Sequence, residues 1–181
     1  MLLRTETSAL LAVDFQERLM PAIHQADQTV AHAAWLIQIA QRLGIPVLAS
    51  EQYPRGLGPT VAMIRDLLPA DAIMEKTHFS CAAEQSCMRQ IDSCGQVQWL
   101  LVGVESHVCV LQTALELRAA GKEVYLVADA VSSRSPRDVE LALERMRSEG
   151  VRIVSREMVV FEWLHQAGTD LFRSISREFL R

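Results

Sequence analysis

The stretch from Trp99 to Gly121, WLLVGVESHVCVLQTALELRAAG, decides the fold. Its opening run, WLLV, is apolar without alternation, which is typical of a parallel strand buried on both faces of a sheet. A helical pattern then runs from Ser106 to Ala120 and stops at Gly121, the residue type that most often follows a helix. A buried strand that leads directly into a helix is the repeating unit of a parallel α/β sheet.

The same alternation of short apolar runs and longer helical patterns extends over the rest of the chain. Strands are predicted at Ala9–Val13, Pro46–Ala49, Ala72–Glu75, Trp99–Val102, Glu123–Val127 and Val151–Val154. Helices are predicted at Ala26–Leu43, Pro59–Leu68, Ala82–Cys94, Ser106–Ala120 and Pro136–Glu149, with two further helical pieces after Glu157 and a turn-rich loop at Gln52–Thr60. This order predicts an α/β fold whose parallel strands are joined by right-handed crossovers and covered by helices on both faces.

Length and composition indicate an ordinary globular chain. The 181 residues favour a single domain, 1–181, with a sizeable core. Half of the residues are hydrophobic and 22% are charged, which excludes disordered, collagen-like and disulfide-scaffold classes. The cysteines, at positions 81, 87, 94 and 109, form no C-x-x-C pair and are expected to be free thiols.

Charge and hydropathy exclude other classes of partner. The balance of 18 basic against 22 acidic residues gives a net charge of −4, with no basic block, so nucleic acid is not an expected partner. The longest apolar runs, such as Ala9–Val13 and Val124–Ala128, are far shorter than the roughly 20 residues of a membrane span. The first residues show no secretory signal, so a cytoplasmic protein that contacts no membrane is expected.

Three residues with reactive side chains follow predicted strands. Asp14 follows the first strand, Lys76 the third, and Cys109 lies a few residues beyond the fourth. Taken singly, they could be a helix cap, a solvated lysine and a core thiol. Ligands of open parallel sheets bind beyond the carboxyl ends of the strands, so together they indicate a base, an electrostatic helper and a nucleophile.

The start of the helix after Trp99–Val102 suggests how the thiol is activated. Ser106 as N-cap would place Cys109 near the third helical position, where the helix dipole favours a thiolate. A nearby Lys76 would lower the thiol pKa further, and Asp14 could accept the proton and return it to a leaving group. His107 points about 200° away from Cys109 and is expected in a pocket wall or subunit contact instead.

Other motifs carry less chemistry. The sequence has no GxGxxG, GxxxxGK[ST] or GxSxG motif, which argues against dinucleotide, triphosphate and serine-hydrolase sites. His78 with Cys81 is a single pair of potential ligands, too few for a zinc site. Asp129 follows the fifth predicted strand, and a structural role in the loop before the Ser135–Pro136 helix start fits it better than catalysis.

Four motifs together resemble one family. They are Val13-Asp14-Phe15-Gln16, Glu51-Gln52-Tyr53-Pro54, Lys76-Thr77-His78-Phe79-Ser80 and Gly103-Val104-Glu105-Ser106-His107-Val108-Cys109. They resemble the isochorismatase-like cysteine hydrolases, with a likeness that extends from about Ser8 to Trp163. The loop EQYPRGLGPT and the later Asp129–Arg134 segment look most like the isochorismatase-domain-containing proteins.

The resemblance implies a three-layer α/β/α fold with a six-stranded parallel sheet in the order 3-2-1-4-5-6. It implies Cys109 as nucleophile, Asp14 as base and Lys76 as a charged partner that reaches across from two strands away. It further implies a cis peptide bond at Val104–Glu105, which would aim backbone N–H groups, including that of Cys109, at an oxyanion. Family position assigns the substrate-binding residues Gln16, Gln52, Tyr53 and Phe79, although loop and core packing would equally explain the two aromatic residues.

Two departures narrow the expected chemistry. True isochorismatases lack the nucleophilic cysteine, so Cys109 argues against isochorismate as substrate. Nicotinamidases carry an Asp-x-His metal site where this chain reads Ser50-Glu51-Gln52-Tyr53-Pro54, so neither a metal nor another cofactor is expected. The function predicted is metal-independent hydrolysis of a small amide-like molecule through a thioester.

Two alternatives stay open. A non-catalytic module could use the same crevice to bind a small molecule or a protein, and a thiol redox protein could use the same cysteine without a C-x-x-C partner. Relatives are commonly oligomeric, so a homodimer or homotetramer is expected. The apolar segment Met158–Leu164 would pack against a second subunit or against its own sheet.

Overall fold

The computed structural model describes residues 1–180 and contains one six-stranded parallel sheet in the order β3-β2-β1-β4-β5-β6. The order is the one that the family resemblance implies, and the predicted three-layer α/β class is confirmed. The strands are β1 Ser8–Val13, β2 Val47–Gln52, β3 Ile73–Lys76, β4 Gln98–Gly103, β5 Glu123–Val131 and β6 Arg152–Val154.

Helices connect successive strands and form the outer layers. They are α1 Ala26–Arg42, α2 Pro54–Leu57, α3 Ala62–Arg65, α4 Gln85–Ser93, α5 Leu111–Ala119, α6 Pro136–Ser148, α7 Arg156–Leu164 and α8 Asp170–Phe179, and a π-helical turn at Ser106–Val110 precedes α5. The predicted start of α6 is confirmed, since the Ser135 hydroxyl accepts a hydrogen bond from the backbone N–H of Arg137 with Pro136 between them.

Alternate residues of each strand enter two separate cores. On one face Leu10 and Ala12 of β1 pack with α1, α7 and α8. On the other face Ala9, Leu11 and Val13 of β1 pack with α4, α5 and α6. All of β1 is buried because the central strand of a doubly covered sheet has no solvent-facing side.

The segment between β2 and β3 differs from the prediction of a single helix at Pro59–Leu68. Two short helices, α2 and α3, lie there instead, separated by Gly58 with φ of 78° and by Pro59. The Glu51 carboxylate accepts hydrogen bonds from the backbone N–H and the hydroxyl of Thr60 at 2.6 and 2.7 Å, which pins the chain between them. The helical spacing of apolar residues could not report this buried side-chain contact.

Strand β5 is also longer than predicted and extends to Val131. Asp129 therefore lies within the strand rather than beyond its end. Its carboxylate accepts a hydrogen bond from the backbone N–H of Arg156 at 2.8 Å, so it stabilises the start of α7 rather than that of α6.

Gly103 ends β4 where this strand approaches β1 most closely. Its φ is +130°, and a Cβ atom there would lie 2.2 Å from the carbonyl oxygen of Val13. Only glycine allows both the conformation and the approach. The close contact brings the chain after β1 and the chain after β4 side by side, and these two segments carry Asp14 and Cys109.

Among residues 1–180, no helix has the length and apolar character that a membrane span requires.

Candidate active site

Asp14 lies directly after β1 at the carboxyl edge of the sheet and is fully buried. Its backbone N–H donates to the carbonyl of Ser50 at 3.0 Å. The Ser50 hydroxyl donates to Asp14 Oδ1 at 2.7 Å, and Lys76 Nζ donates to Oδ2 at 2.8 Å. Both carboxylate oxygens are therefore held by donors, one from the adjacent strand β2 and one from β3, which lies two strands away.

Lys76 is the last residue of β3, and its side chain is as inaccessible to solvent as that of Asp14. Its ammonium group donates to Asp14, to Gln52 Oε1 at 2.8 Å and to the carbonyl of Phe79 at 2.9 Å. An ammonium has three donors, so all of them are used within the protein. Lys76 thus has no free donor for an outside molecule while these bonds persist. Any effect of its charge on a reaction would act through Asp14.

Cys109 lies in the π-helical turn Ser106–Val110 with only 6% of its surface exposed. The predicted N-cap role of Ser106 is wrong, because its hydroxyl donates to the carbonyl of Ser132 at 2.8 Å and Glu105 flanks the turn instead. The Val104–Glu105 peptide bond is cis.

The predicted activation of the resting thiol is also wrong. Burial raises the pKa of the Cys109 thiol, and the Asp14 charge raises it further, while Lys76 lowers it by a smaller amount. Removing a thiolate from water costs more than the distant ammonium returns. A raised pKa favours the protonated thiol, so nucleophilic attack by Cys109 would need a group that accepts its proton.

Asp14 has the environment of such a base. Burial raises the pKa of Asp14 above its ordinary value, and Lys76 and Ser50 offset only part of this effect. Burial is the largest single effect on Lys76 and lowers its pKa, but the charge and hydrogen bond of Asp14, together with the charges of Cys81 and Cys109, raise the pKa overall. A carboxylate with a raised pKa next to a protonated thiol is suited to accepting the thiol proton.

The two glutamines predicted to bind substrate have different surroundings. Gln16 is completely buried, and its side-chain amide donates to the carbonyls of Gln52 and Gly58 at 3.0 and 2.8 Å. Its Oε1 accepts from the Gln52 backbone N–H at 2.8 Å. The Gln16 amide thus holds the loop after β2 through its nitrogen and its oxygen. Gln52 Oε1 accepts a hydrogen bond from Lys76 Nζ, and substrate contact by either glutamine stays a prediction.

Tyr53 and Phe79 are about half exposed, at 55% and 54%. Tyr53 lines a cavity of about 400 Å³ together with Arg55, Lys76 and Glu84. The cavity lining includes neither Asp14 nor Cys109. Tyr53 is thus placed to touch a bound molecule beside the buried pair, while Phe79 contributes its carbonyl to Lys76 and leaves its ring at the surface.

A model of the isochorismatase domain matches residues 8–158 of the chain. The chain belongs to the isochorismatase family. Isochorismatase domain-containing protein 1 of Danio rerio is 41% identical over 93% of this chain, which spans 59% of that protein's length. Isochorismatase domain-containing protein 2 of the same organism is 40% identical over 97% of this chain and 88% of its own length.

Solved structures agree with this assignment. The MAR1 ribonuclease from Caenorhabditis elegans superimposes with a TM-score of 0.91 at 31% identity, covering 100% of this chain and 93% of the other. The YcaC gene product of Escherichia coli, described as an octameric hydrolase of unknown specificity, gives 0.91 at 20% identity over 99% and 91% of the two chains and shows the fold alone. Membership of the isochorismatase family supports a hydrolase of this superfamily.

Two histidines of this isochorismatase-family chain, His107 and His78, have side-chain partners other than the Cys109 thiol. His107 Nδ1 is 3.0 Å from Ser133 Oγ, and its Nε2 is 4.0 Å from a carboxylate oxygen of Asp138. His78 Nδ1 is 3.0 Å from Glu84 Oε2. Within residues 1–180, no three His, Cys, Asp or Glu side chains are grouped closely enough to hold a metal ion.

Two residues of this isochorismatase-family site were missed from the sequence. Ser50 is paired with Val13 in the sheet, so the rule that chemistry lies at strand ends could have found it. Cys81 is fully buried, with its backbone N–H donating to Thr113 Oγ1 at 3.0 Å. Burial and the Asp14 charge raise the pKa of Cys81 to about 12.

Proposed function

We propose that this isochorismatase-family chain hydrolyses a small amide-like molecule without a metal ion, with Cys109 as nucleophile, Asp14 as base and Lys76 as the group that holds Asp14. The observation that carries the proposal is the buried Asp14 carboxylate, which Lys76 and Ser50 fix at 2.8 and 2.7 Å and whose charge acts on the Cys109 thiol. A fully buried carboxylate with a single cation and a thiol beside it has a coherent catalytic use.

The proposed reaction begins when Cys109 Sγ attacks the amide carbonyl and its proton moves to Asp14. The carbonyl π electrons move to oxygen, and backbone donors that include the N–H of Cys109 stabilise the oxyanion. The oxyanion then re-forms the carbonyl, the C–N bond breaks, and the amine leaves with the proton from Asp14. This leaves a thioester on Cys109.

Water completes the cycle. Asp14 accepts a proton from water as the water oxygen attacks the thioester carbonyl, and the C–S bond then breaks. The product is a carboxylic acid, and the proton returns to Cys109. Lys76 keeps its three protein acceptors throughout, so its role is to hold the position and charge of Asp14.

The decisive experiment is a screen of small amides for ammonia or amine release, followed by tests of variants on the best substrate. Cys109→Ala should reduce turnover by at least about a thousandfold, because it removes the attacking atom. Cys87→Ala is the matched control, since Cys87 is also a buried thiol, its Sγ donates to the carbonyl of Glu75, and it takes no part in the proposed reaction. Circular dichroism checks that both variants fold. Full activity of Cys109→Ala would overturn the proposal.

RNA is a second candidate substrate, because the C. elegans protein that is 31% identical to this chain is described as a ribonuclease. Binding of an RNA backbone depends on Lys and Arg contacts to phosphates, and this chain has a net charge of −4. We therefore place RNA after small amides. Cleavage of labelled RNA by the wild type but not by Cys109→Ala would reverse that order, whereas tight binding without turnover would favour a non-catalytic binding module.

We also propose that the chain forms a homo-oligomer. The E. coli neighbour is described as octameric. In this chain the segment predicted to pack either on a second subunit or on its own sheet does the latter with Val159, Val160 and Trp163, while Met158 and Phe161 stay about half exposed. These exposed side chains support a subunit contact on the outer face of α7.

A further inference from the structure

Residues 132–134, which follow β5, contact the turn that leads into Cys109, and we call this segment the strap. The carbonyl of Ser132 accepts hydrogen bonds from both the backbone N–H and the hydroxyl of Ser106, each at 2.8 Å. The Ser132 hydroxyl donates to the carbonyl of His24 at 2.6 Å, which anchors the strap from its other side. Ser132 thus connects the strap both to the turn and to the segment that contains His24.

Arg134 ends the strap with an ion pair to the turn. Its Nε donates to Glu105 Oε2 at 2.7 Å, and its backbone N–H reaches the same oxygen at 3.4 Å. The Glu105 side chain is 12% exposed, whereas that of Arg134 is 62% exposed. A pair with one solvent-exposed member contributes little to stability, so its main effect is on the position of Glu105.

Glu105 also determines where the turn Ser106–Val110 begins. We call it the nucleophile turn because it contains Cys109. Its carbonyl accepts hydrogen bonds from the backbone N–H groups of Val108 and Val110 at 3.1 and 3.2 Å. These two residues flank Cys109. A shift of Glu105 would therefore move the backbone on both sides of the thiol.

We propose that Arg134 is a positioning residue, which holds Glu105 and so keeps the backbone N–H of Cys109 aimed at the oxyanion that forms on the carbonyl under attack. The inference rests on the proposed function, in which Cys109 attacks a carbonyl carbon. Oxyanion donors are effective only within a few tenths of an ångström of their best position, so a small displacement is costly.

Two reactions of the Cys109 thiol distinguish a loss of oxyanion positioning from a general loss of thiol reactivity. With p-nitrophenyl acetate, the thiol proton passes to Asp14, an S–C bond forms at the carbonyl through an oxyanion, and the C–O bond breaks to release p-nitrophenolate. With iodoacetamide, an S–C bond forms at a saturated carbon and iodide leaves, so no oxyanion develops. Peptide mass mapping assigns both products to Cys109.

Arg134→Gln should slow acylation of Cys109 by about 10- to 100-fold, as expected for a displaced donor. Its alkylation rate at the same pH should change less than about twofold, since that reaction needs no oxyanion donor. The acylation rate of Arg134→Lys should lie between those of the wild type and Arg134→Gln, because lysine keeps the charge without the guanidinium fork. Arg137→Gln is the matched control, since Arg137 pairs with Glu140 on α6 and should alter neither rate.

The coupling to Glu105 is tested by adding Arg134→Gln to Glu105→Gln, where it should have no further effect on acylation. Equal effects on acylation and alkylation, or an undiminished effect in the Glu105→Gln protein, would overturn the positioning role while leaving Cys109 as nucleophile. Absence of any acylation of wild-type Cys109 would instead remove the proposed function, and the positioning role with it.

Discussion

At the residue scale, the buried pair of Asp14 and Lys76 has one partner of each charge and no contact with solvent. Such a pair is costly to build and costly to break, because either partner alone would be an uncompensated buried charge. Its position at the carboxyl edge of the sheet agrees with the proposed catalytic role. The two predictions at this scale test each charge in turn.

Asp14→Asn should lower the pKa of the Cys109 thiol, because the Asp14 charge is one of the causes that raise it. The pH profile of Cys109 alkylation by iodoacetamide, followed by peptide mass mapping, should therefore move to lower pH. Asp138→Asn removes a charge near His107 and should leave the profile in place. A profile that moves to higher pH in Asp14→Asn would contradict the described electrostatics.

Lys76→Met should destabilise the protein in a pH-dependent way. The native pKa of Asp14 is raised above its ordinary value of 3.8, so protonated Asp14 stabilises the folded protein. This contribution is fully present below pH 3.8 and is lost as the pH rises through the raised pKa. Removal of Lys76 raises this pKa further. The loss in free energy of unfolding should thus grow between pH 4 and pH 8 and reach about 3–5 kcal/mol.

Urea unfolding at pH 4, 6 and 8 measures this loss. Lys122→Met breaks a surface pair with Asp92 at 2.8 Å and should cost at most about 1 kcal/mol without a trend over this pH range. Asp14→Asn added to Lys76→Met should recover part of the stability, because it removes the unpaired charge. A loss that stays constant with pH would show that Asp14 does not titrate as described.

At the element scale, the site depends on how strand ends are placed beside one another. Val13 pairs with both Ser50 and Gly103 in the sheet, so β1 and β4 end level, and β2 extends two residues further, to Gln52. Lys76 at the end of β3 pairs with Gln52, the last residue of β2. The register therefore aligns the residues that hold the Asp14 carboxylate before any side chain is considered.

Gly103→Ala should disrupt this alignment. A Cβ atom would lie 2.2 Å from the Val13 carbonyl oxygen at a φ of +130°, so we expect a loss of about 3 kcal/mol or more in the free energy of unfolding. Gly121→Ala is a matched control, with φ of +87° and no heavy atom within 4 Å of its Cβ, and should cost about 1–2 kcal/mol. Urea unfolding compares the two, and equal losses would contradict the close approach.

At the scale of the whole molecule, the two faces of the sheet carry different roles. Cys109 belongs to the core shared with α4, α5 and α6, and α7 and α8 pack on the opposite face. The half-exposed ring of Phe161 on α7 lies 6.5 Å from that of Phe172 on α8, and Met158 is exposed nearby in sequence. A subunit contact at α7 would therefore form on the face of the sheet opposite the Cys109 core.

Light scattering on the purified chain should give a mass that is a multiple of 20.2 kDa. Phe161→Ser with Met158→Ser should lower that mass, because both changes remove exposed apolar surface from α7. The control Leu141→Ser removes an exposed leucine from α6, on the opposite layer, and should leave the mass unchanged. A wild-type mass of 20.2 kDa would contradict the proposed homo-oligomer.

Periodicity in the sequence was sufficient for the order of strands and helices and for the position of Asp14, Lys76 and Cys109 near strand ends. These features are local, since a buried strand or an amphipathic helix leaves its pattern in consecutive residues. The strand order came from the family resemblance. The two short helices at Pro54–Leu57 and Ala62–Arg65 could not be predicted, because a contact between Thr60 and Glu51 decides them.

The sequence by itself thus determined the α/β class and which reactive residues follow the strands. Only the tertiary structure decided that Gln16 is buried, that Lys76 has no free donor and that the Cys109 thiol has a raised rather than a lowered pKa. The physical reason is that hydrogen-bond saturation and desolvation depend on every atom around a group, and those neighbours come from distant parts of the chain.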